Sequence, residues 1–295
     1  MAATVYRDWH QGELDRQLNL RARWPEHGEF FARWARDSEA VRARLGGHFD
    51  LAYGASEGET LDLFPAARQG PAAPLLAFLH GGYWQGLDKG DFSYLAPAFL
   101  ASGVAFASLN YDLAPKVSIA DIVGQIRNAL SWLARNAGAY GLDAHRIFVA
   151  GHSAGGHLAV MALVTDWSAQ AGARGDLPAD LVKGACSVSG IYELEPLRLS
   201  YHQPVLKLDP ETVRVLSPIR CSPARAGPVI CAVGSAETEE FLRQQDEFVA
   251  TWRARDLAVR VVELPGLHHF SAIEALGDPR QPLFVALREL ILGGG

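Results

Sequence analysis

The stretch "RIFVAGHSAGGHLAVMAL", residues 146–163, decides the fold. It opens as a compact apolar run of buried-strand type, passes through Gly-His-Ser-Ala-Gly at 151–155, and continues as apolar residues at helical spacing. Gly-x-Ser-x-Gly between a strand and a helix is the pattern of a nucleophile elbow. The glycines permit a turn too tight for side chains, and Ser153 is held in a strained conformation with its hydroxyl exposed. The competing reading, a glycine-rich packing turn, does not account for a strand before and a helix after. The helix start also offers free N–H groups and a positive dipole end, which stabilise negative charge nearby.

Outward from this point, short apolar runs recur at residues 75–79, 104–109, 184–189, 228–233 and 258–264, separated by helix-like stretches. Ile119, Ile122, Val123, Ile126, Leu130 and Leu133 form one face of an amphipathic helix. This alternation predicts an α/β fold with a mostly parallel central sheet and helices on both faces. Ahead of it, "HFDLAYG" (48–54) and "ETLDLFP" (59–65) flank a turn and predict an antiparallel hairpin at one sheet edge. The first ~45 residues differ in character. Trp9, Leu14, Leu18, Trp24, Phe30, Phe31 and Trp34 at mixed spacing predict two or three short helices, broken at Pro25 and ended at Gly46-Gly47. The expected division is an N-terminal helical cap over residues 1–47 and a catalytic domain over residues 48–295; an ordinary helix layer is the plainer alternative for the first segment.

Composition excludes several classes. A chain of 295 residues with 49% hydrophobic and 20% charged residues is that of a soluble globular protein with a sizeable core. A net charge of −6 argues against a nucleic acid or an anionic membrane as partner, since both demand concentrated Lys and Arg. The arginines of residues 16–44 are interleaved with acids and read as a solvated helix face. Cys186, Cys221 and Cys231 lack metal-type spacing and read as reduced thiols. The N-terminus lacks the features of a signal peptide and no apolar run is long enough for a membrane span, so a cytoplasmic protein is expected. A homodimer is compatible with all of this.

A serine hydroxyl needs a base to take its proton, so the elbow demands an acid and then a histidine downstream. His157 lies one helical turn on and faces the wrong way; His202 lies in an irregular stretch. His268 and His269 follow the last strand, and spacing alone does not choose between them. Glu237 is the first carboxylate after the preceding strand. Glu239 and Glu240 enter the next helix, where acids commonly decorate a first turn. The plainer alternative for Glu237 is a solvated loop acid. No histidine pair has metal-ligand spacing with carboxylates, so neither metal nor cofactor is expected.

Taken together, "HGGYW" (80–84), "NYDLAP", "GHSAGGHLA", "SGIYELEPL", "LSP" and "HHFSAIEAL" resemble the arylformamidase (kynurenine formamidase) branch of the α/β-hydrolases, relatives of the hormone-sensitive-lipase-type esterases. The resemblance covers nearly the whole chain, including the leading "LDRQLNLRARWPEH". It implies the α/β-hydrolase fold. The branch's catalytic His is followed by Phe and then Glu-x-Leu, which His269, Phe270, Glu274 and Leu276 match, and this favours His269. Its acid is usually Asp; here that position is Glu237, a departure. In this fold the loop after an early strand supplies oxyanion-hole donors, which assigns the N–H groups of Gly81 and Gly82 to that role, with Ala154 as a further donor.

Tyr83 stands where broader esterases often carry a third glycine and is expected to narrow the acyl side of the pocket. Trp84 either lines the same wall or anchors the loop. The branch commonly has Tyr and a polar residue where Leu18 and Leu20 stand, so a pocket touching them is greasier. His152, beside the serine, is also expected at the pocket. The resemblance implies a serine hydrolase that cleaves a formyl group from an N-formyl arylamine such as N-formylkynurenine; the alternatives are a carboxylesterase or amidase on short-acyl or aryl esters and amides, or a non-catalytic binding module. The expected partner is a small aryl amide or ester.

Overall fold

The computed structural model describes residues 3–67, 71–221, 223 and 226–293. Its centre is an eight-stranded sheet: β1 (His48–Ala52), β2 (Thr60–Phe64), β3 (Ala73–Leu79), β4 (Ala105–Leu109), β5 (Leu142–His152), β6 (Val182–Val188), β7 (Val229–Gly234) and β8 (Val259–Leu264). Across the sheet they run β8-β7-β6-β5-β3-β4-β2-β1. Pairing is parallel from β4 to β8, whereas β2 is antiparallel to both β4 and β1. All six apolar runs are strands of this sheet, and the hairpin forms its edge. Leu75–Leu79 are buried without alternation because helices cover both faces of the sheet there.

The chain turns from β3 outward to β4, then returns to place β5 on the other side of β3. Strand order reverses between β3 and β5, so the loops leaving their C-terminal ends part and open a crevice, the usual ligand position in open α/β sheets. Those loops hold His80–Trp84 and Ser153.

Ahead of the sheet, Thr4–Tyr6 pairs with Trp9–His10, and three helices follow: α1 (Gln11–Leu18), α2 (Leu20–Arg23) and α3 (His27–Leu45). The break falls at Pro25 as expected, but α3 is a 19-residue helix rather than a short one. Phe30, Trp34, Ser38 and Val41 recur at helical spacing and keep one face inward, while Arg, Glu and Ala on the other face are good helix formers. Gly46, at φ +65°, ends it.

Four longer helices flank the sheet: α4 (Ile119–Asn136), α5 (Ala154–Leu163), α6 (Glu239–Arg253) and α7 (Pro282–Gly293). The predicted apolar face of α4 is buried, and a capping box starts the helix: Ser118 Oγ accepts from the Asp121 N–H (3.2 Å) while Asp121 accepts from the Ser118 N–H (2.9 Å).

Polar contacts fasten α3 to the body, among them the Tyr94 N–H donating to Ser38 Oγ (3.0 Å) and two carboxylates. Asp62 of β2 is fully buried, a position tolerable for a carboxylate only when paired. It accepts from Lys89 Nζ (2.8 Å) and from the Arg42 guanidinium of α3. Glu274 accepts from Arg33 Nη2 (2.5 Å) and from Trp34 Nε1 (3.2 Å).

Candidate active site

Ser153 sits between β5 and α5 with φ 59° and ψ −120°, a region that costs a non-glycine residue roughly 1–3 kcal/mol and persists only where its surroundings impose it. Here they do. A Cβ at Gly155 would lie 1.9 Å from the Leu79 carbonyl oxygen of β3, and one at Gly151 would lie 2.0 Å from the Gly155 carbonyl oxygen. Only bare backbone lets the α5 start pack this closely on β3. The Ser153 N–H donates to Val188 O of β6 (2.8 Å), which fixes the turn from the other side.

The loop after β3 is bent just as sharply. Gly82, Tyr83 and Trp84 have successive φ values of +101°, +52° and +57°. A Cβ at Gly82 would meet Gly86 O at 2.3 Å; one at Gly81 would come within 3.1 Å of Ser153 Cβ, so this backbone runs directly beside the serine. Among the described residues the N–H groups of Gly81 and Gly82 have no hydrogen-bond partner. Ala154 opens α5, so its N–H has no acceptor within the helix. The buried His80 holds the loop's entry: its ring stacks on Tyr111 (centroids 4.2 Å), whose hydroxyl donates to His80 O (2.7 Å).

His269 and Glu237 arrive from the neighbouring strands β8 and β7. His269 Nδ1 lies 2.8 Å from Glu237 Oε2, and both residues are buried. The other carboxylate oxygen of Glu237 accepts from the Ser189 hydroxyl and from the Gly234 N–H (3.1 Å). His269 packs edge-on against Phe241 (4.7 Å). His152 holds the backbone beneath it, Nε2 donating to His269 O (2.9 Å). Burial, reinforced by His269, keeps the His152 pKa well below the ordinary value, so it is neutral and its proton lies on Nε2.

The adjacent His268 points away. Its ring stacks on Trp24 (5.2 Å, 18° between planes), meets Phe30, and its Nδ1 accepts the Phe270 N–H (3.2 Å). His157 is buried against the Trp84 edge and bonded through Nε2 to Leu216 O (2.7 Å), remote from the crevice. Glu240 belongs to a separate buried cluster with Arg243 and Gln244.

Ser153, His269, His152 and Gly82 form the floor of a cavity of about 370 Å³ walled by Leu20, Phe31, Trp34, Tyr83 and Phe270. The Tyr83 ring lies on His202 (4.1 Å), and its hydroxyl donates to Leu18 O (2.9 Å). For the walls, the geometry separates Leu18 from Leu20 and favours one of the two alternatives for Trp84. Leu18 does not line the cavity: its side chain is buried in the packing of α1 and only its carbonyl reaches Tyr83, while Leu20, one residue into the next helix, faces the space. Trp84 is fully buried away from the cavity, and its ring against His157 anchors the loop.

Sequence reasoning gave no role to Ser189 or Gly234, although Ser189 begins the quoted "SGIYELEPL" and is held at φ +50°. Among the described residues no group of three or more His, Cys, Asp or Glu is arranged to hold a metal, and no helix is long and apolar enough to cross a membrane.

A family profile described as BD-FAE matches residues 61–195, which include the His80–Trp84 loop and the serine elbow but neither Glu237 nor His269. A kynurenine formamidase from Danio rerio is 33% identical over 249 residues, 82% of this chain and 81% of the relative. This chain belongs to the kynurenine formamidase family. As a member of that family it is a serine-type α/β-hydrolase. A protein from Silicibacter sp., provisionally described as a thioesterase, is 31% identical, with a TM-score of 0.78 over 92% of this chain and 98% of its own. Esterase B from Lactobacillus rhamnosis shares the fold at 20% identity, with a TM-score of 0.70 over 92% of this chain and 94% of its own. Both solved structures share this chain's fold.

Proposed function

We propose that the chain removes a small acyl group, formyl foremost, from an aryl amide of the N-formylkynurenine type. The observation that carries this reading is the buried His269–Glu237 pair beside a strained serine at the floor of an aromatic-walled cavity. Ser153 Oγ attacks the formyl carbon as His269 Nε2 takes its proton, and the carbonyl oxygen gains its charge facing the N–H groups of Gly81, Gly82 and Ala154. Losing one such donor typically costs on the order of 10²–10³ in rate. Collapse breaks the C–N bond, and the proton on His269 passes to the departing aryl amine. Water, deprotonated by His269, then attacks the formyl ester, releasing formate and restoring Ser153. Glu237 holds the imidazole with its proton on Nδ1 and stabilises the imidazolium.

Tyr83, tethered to Leu18 O and packed at a tilt against His202, restricts the acyl side to formyl or acetyl. Leu20, Phe31 and Trp34 support the further proposal that residues 1–47 act as a cap over the catalytic domain 48–295. Three unpaired thiols fit a cytoplasmic enzyme. The Leu20 wall favours a second reading, a carboxylesterase of short-acyl aryl esters.

The deciding measurement is kcat/KM for N-formylkynurenine beside phenyl acetate and an anilide panel, with Ser153→Ala as control. A large preference for phenyl acetate would demote the formamidase reading. Faster turnover of hexanoyl than acetyl esters would remove the role given to Tyr83. Labelling by a fluorophosphonate, lost in Ser153→Ala, tests the nucleophile itself.

A further inference from the structure

The cavity has a one-sided charge. Apart from Arg21 of α2, its titratable lining groups are histidines and tyrosines, and no carboxylate joins them. Burial holds His152 well below its ordinary pKa and His202 down at about 4, so both are neutral at pH 7. Arg21 is therefore the fixed cation of the site.

Arg21 is an exposed residue that lines the cavity. Its guanidinium lies 5.7 Å from the centroid of the Phe31 ring. A Cβ at Gly86, in the loop after β3, would come within 3.9 Å of Arg21 Nη2. Burial and the Asp15 carboxylate push the Tyr201 hydroxyl up to about 12, and the Arg21 charge opposes them. Arg21 thus stands between α3, the glycine loop and Tyr201. In the same N-terminal helices Arg16, Arg33, Arg36 and Arg42 each meet a carboxylate; among the described residues Arg21, Arg23 and Arg44 meet none, and of these three Arg21 lines the cavity. A guanidinium fork with no carboxylate partner, facing a cavity of aromatic walls, is suited to bidentate recognition of an anion. The chain as a whole carries a net charge of −6 and repels anions at long range, which makes a local cation decisive for an anionic substrate.

We infer that Arg21 is a specificity-determining residue which pairs with a carboxylate on the substrate, outside the bond that is cleaved, so that the enzyme selects aryl substrates bearing a carboxylate side chain. This rests on the reading of the cavity as the acyl-transfer site, and holds for amide and ester substrates alike.

The test uses two matched pairs: N-formylkynurenine against its carboxamide, and 3-(4-acetoxyphenyl)propanoate against its primary amide. The readout is the ratio of kcat/KM, carboxylate over amide, within each pair. Wild-type enzyme is expected to favour the carboxylate, and Arg21→Gln to lower the ratio on the order of tenfold, the lower range for a hydrogen bond to a charged group. Arg21→Lys should retain part of the ratio. Arg23→Gln, on the same short helix but off this cavity, should leave it unchanged. Raising the salt should reduce the wild-type preference.

A wild-type enzyme indifferent to the carboxylate in both pairs, an Arg21→Gln ratio within twofold of wild type, or an equal fall in Arg23→Gln overturns the inference. Turnover of the ester pair with the expected charge preference, but of neither formamide, would sink the formamidase reading and leave the role of Arg21 standing. Turnover of N-formylkynurenine with no loss of preference in Arg21→Gln would do the reverse.

Discussion

Replacing Glu237 by Gln tests the proposed triad at its least typical member. The carboxylate has two distinct duties. Oε2 faces His269 Nδ1 at 2.8 Å, and Oε1 accepts from the Ser189 hydroxyl and the Gly234 N–H (3.1 Å). A glutamine must divide an acceptor and a donor between these two sides. The Gly234 N–H can only donate, so the amide oxygen stays with it and the NH₂ group turns toward His269. Nδ1 must then accept, which moves the imidazole proton to Nε2, the atom that takes the Ser153 proton in the proposed mechanism. The substitution is isosteric and keeps two of the three contacts, so the fold is retained while the tautomer is wrong. In a Ser-His-Asp enzyme the corresponding Asn substitution costs about 10⁴ in kcat. We expect a loss of about 10³–10⁴ here, equivalent to roughly 4–5.5 kcal/mol of barrier. Steady-state kcat on phenyl acetate and on an N-formyl arylamine, together with the thermal midpoint, provides the assay. Glu239→Gln and Glu240→Gln should stay within a few-fold of wild type, Glu240 because its partners are Arg243 and Gln244. A folded Glu237→Gln enzyme with kcat within tenfold of wild type would refute the assignment.

Three further outcomes follow from the same geometry. Gly155→Ala places a Cβ against the Leu79 carbonyl of β3, a backbone atom that cannot yield without moving a central strand; a loss of at least about 3 kcal/mol in denaturant unfolding is expected, and a near-wild-type midpoint would contradict it. His268→Ala forfeits the Trp24 stack and the Phe270 N–H bond and should cost about 1–2 kcal/mol of stability with kcat within about fivefold, whereas His269→Ala should lower kcat at least about 10³-fold; comparable kcat losses in both would show that the two adjacent rings had been assigned wrongly. Burial depresses the pKa of His157 and His202 from 6.5 to about 4 in the folded protein, so below about pH 6.5 the unfolded chain binds protons that the native state refuses. Stability is therefore full above that pH and falls toward pH 4, each buried histidine contributing up to about 1.4 kcal/mol per pH unit; equal unfolding free energies at pH 7.5 and pH 5 would exclude it.

The parts of the molecule that depend on short-range pattern were legible in the sequence. Six apolar runs and one hairpin signal are the sheet, because a strand buried on both faces must be apolar throughout, and the glycines at 151 and 155 mark an approach that no side chain survives. Long-range polar pairing was not legible. Nothing in the spacing of Asp62, Lys89 and Arg42 links them, since β2, the loop before β4 and α3 meet only in the folded state. The same limit applies to Ser189 on Glu237 and to His152 beneath His269. Spacing alone also left His268 and His269 unseparated, and only the family resemblance favoured His269. Adjacent residues leave a loop in different directions, and which one meets Glu237 depends on where Trp24 and Phe30 wait to receive the other. Leu18 and Leu20 failed as a pair for a related reason. They fall on either side of the α1–α2 break at Asn19, so two residues in sequence amount to opposite environments, one inside the helix packing and one on the cavity.

The N-terminal helices and the histidine loop are mechanically one unit. His268 and Phe270 flank His269 on the chain, and both pack into the aromatic cluster of Trp24, His27, Phe30 and Phe31. Glu274, five residues on, accepts from Arg33 and Trp34 of α3. The imidazole is thus located from two directions. Glu237 and His152 hold it from the sheet side, and residues 24–34 hold the backbone on either side of it. Those helices also contribute Leu20, Arg21, Phe31 and Trp34 to the cavity. A segment that only covered substrate could be exchanged or opened with a change in KM alone. One that also fixes the path of the His269 loop cannot move without disturbing the Nδ1–Glu237 contact, so loosening α3 should act on kcat as well as KM. The Glu-x-Leu after the histidine then has a physical meaning: its glutamate fastens α3 to the loop that carries His269.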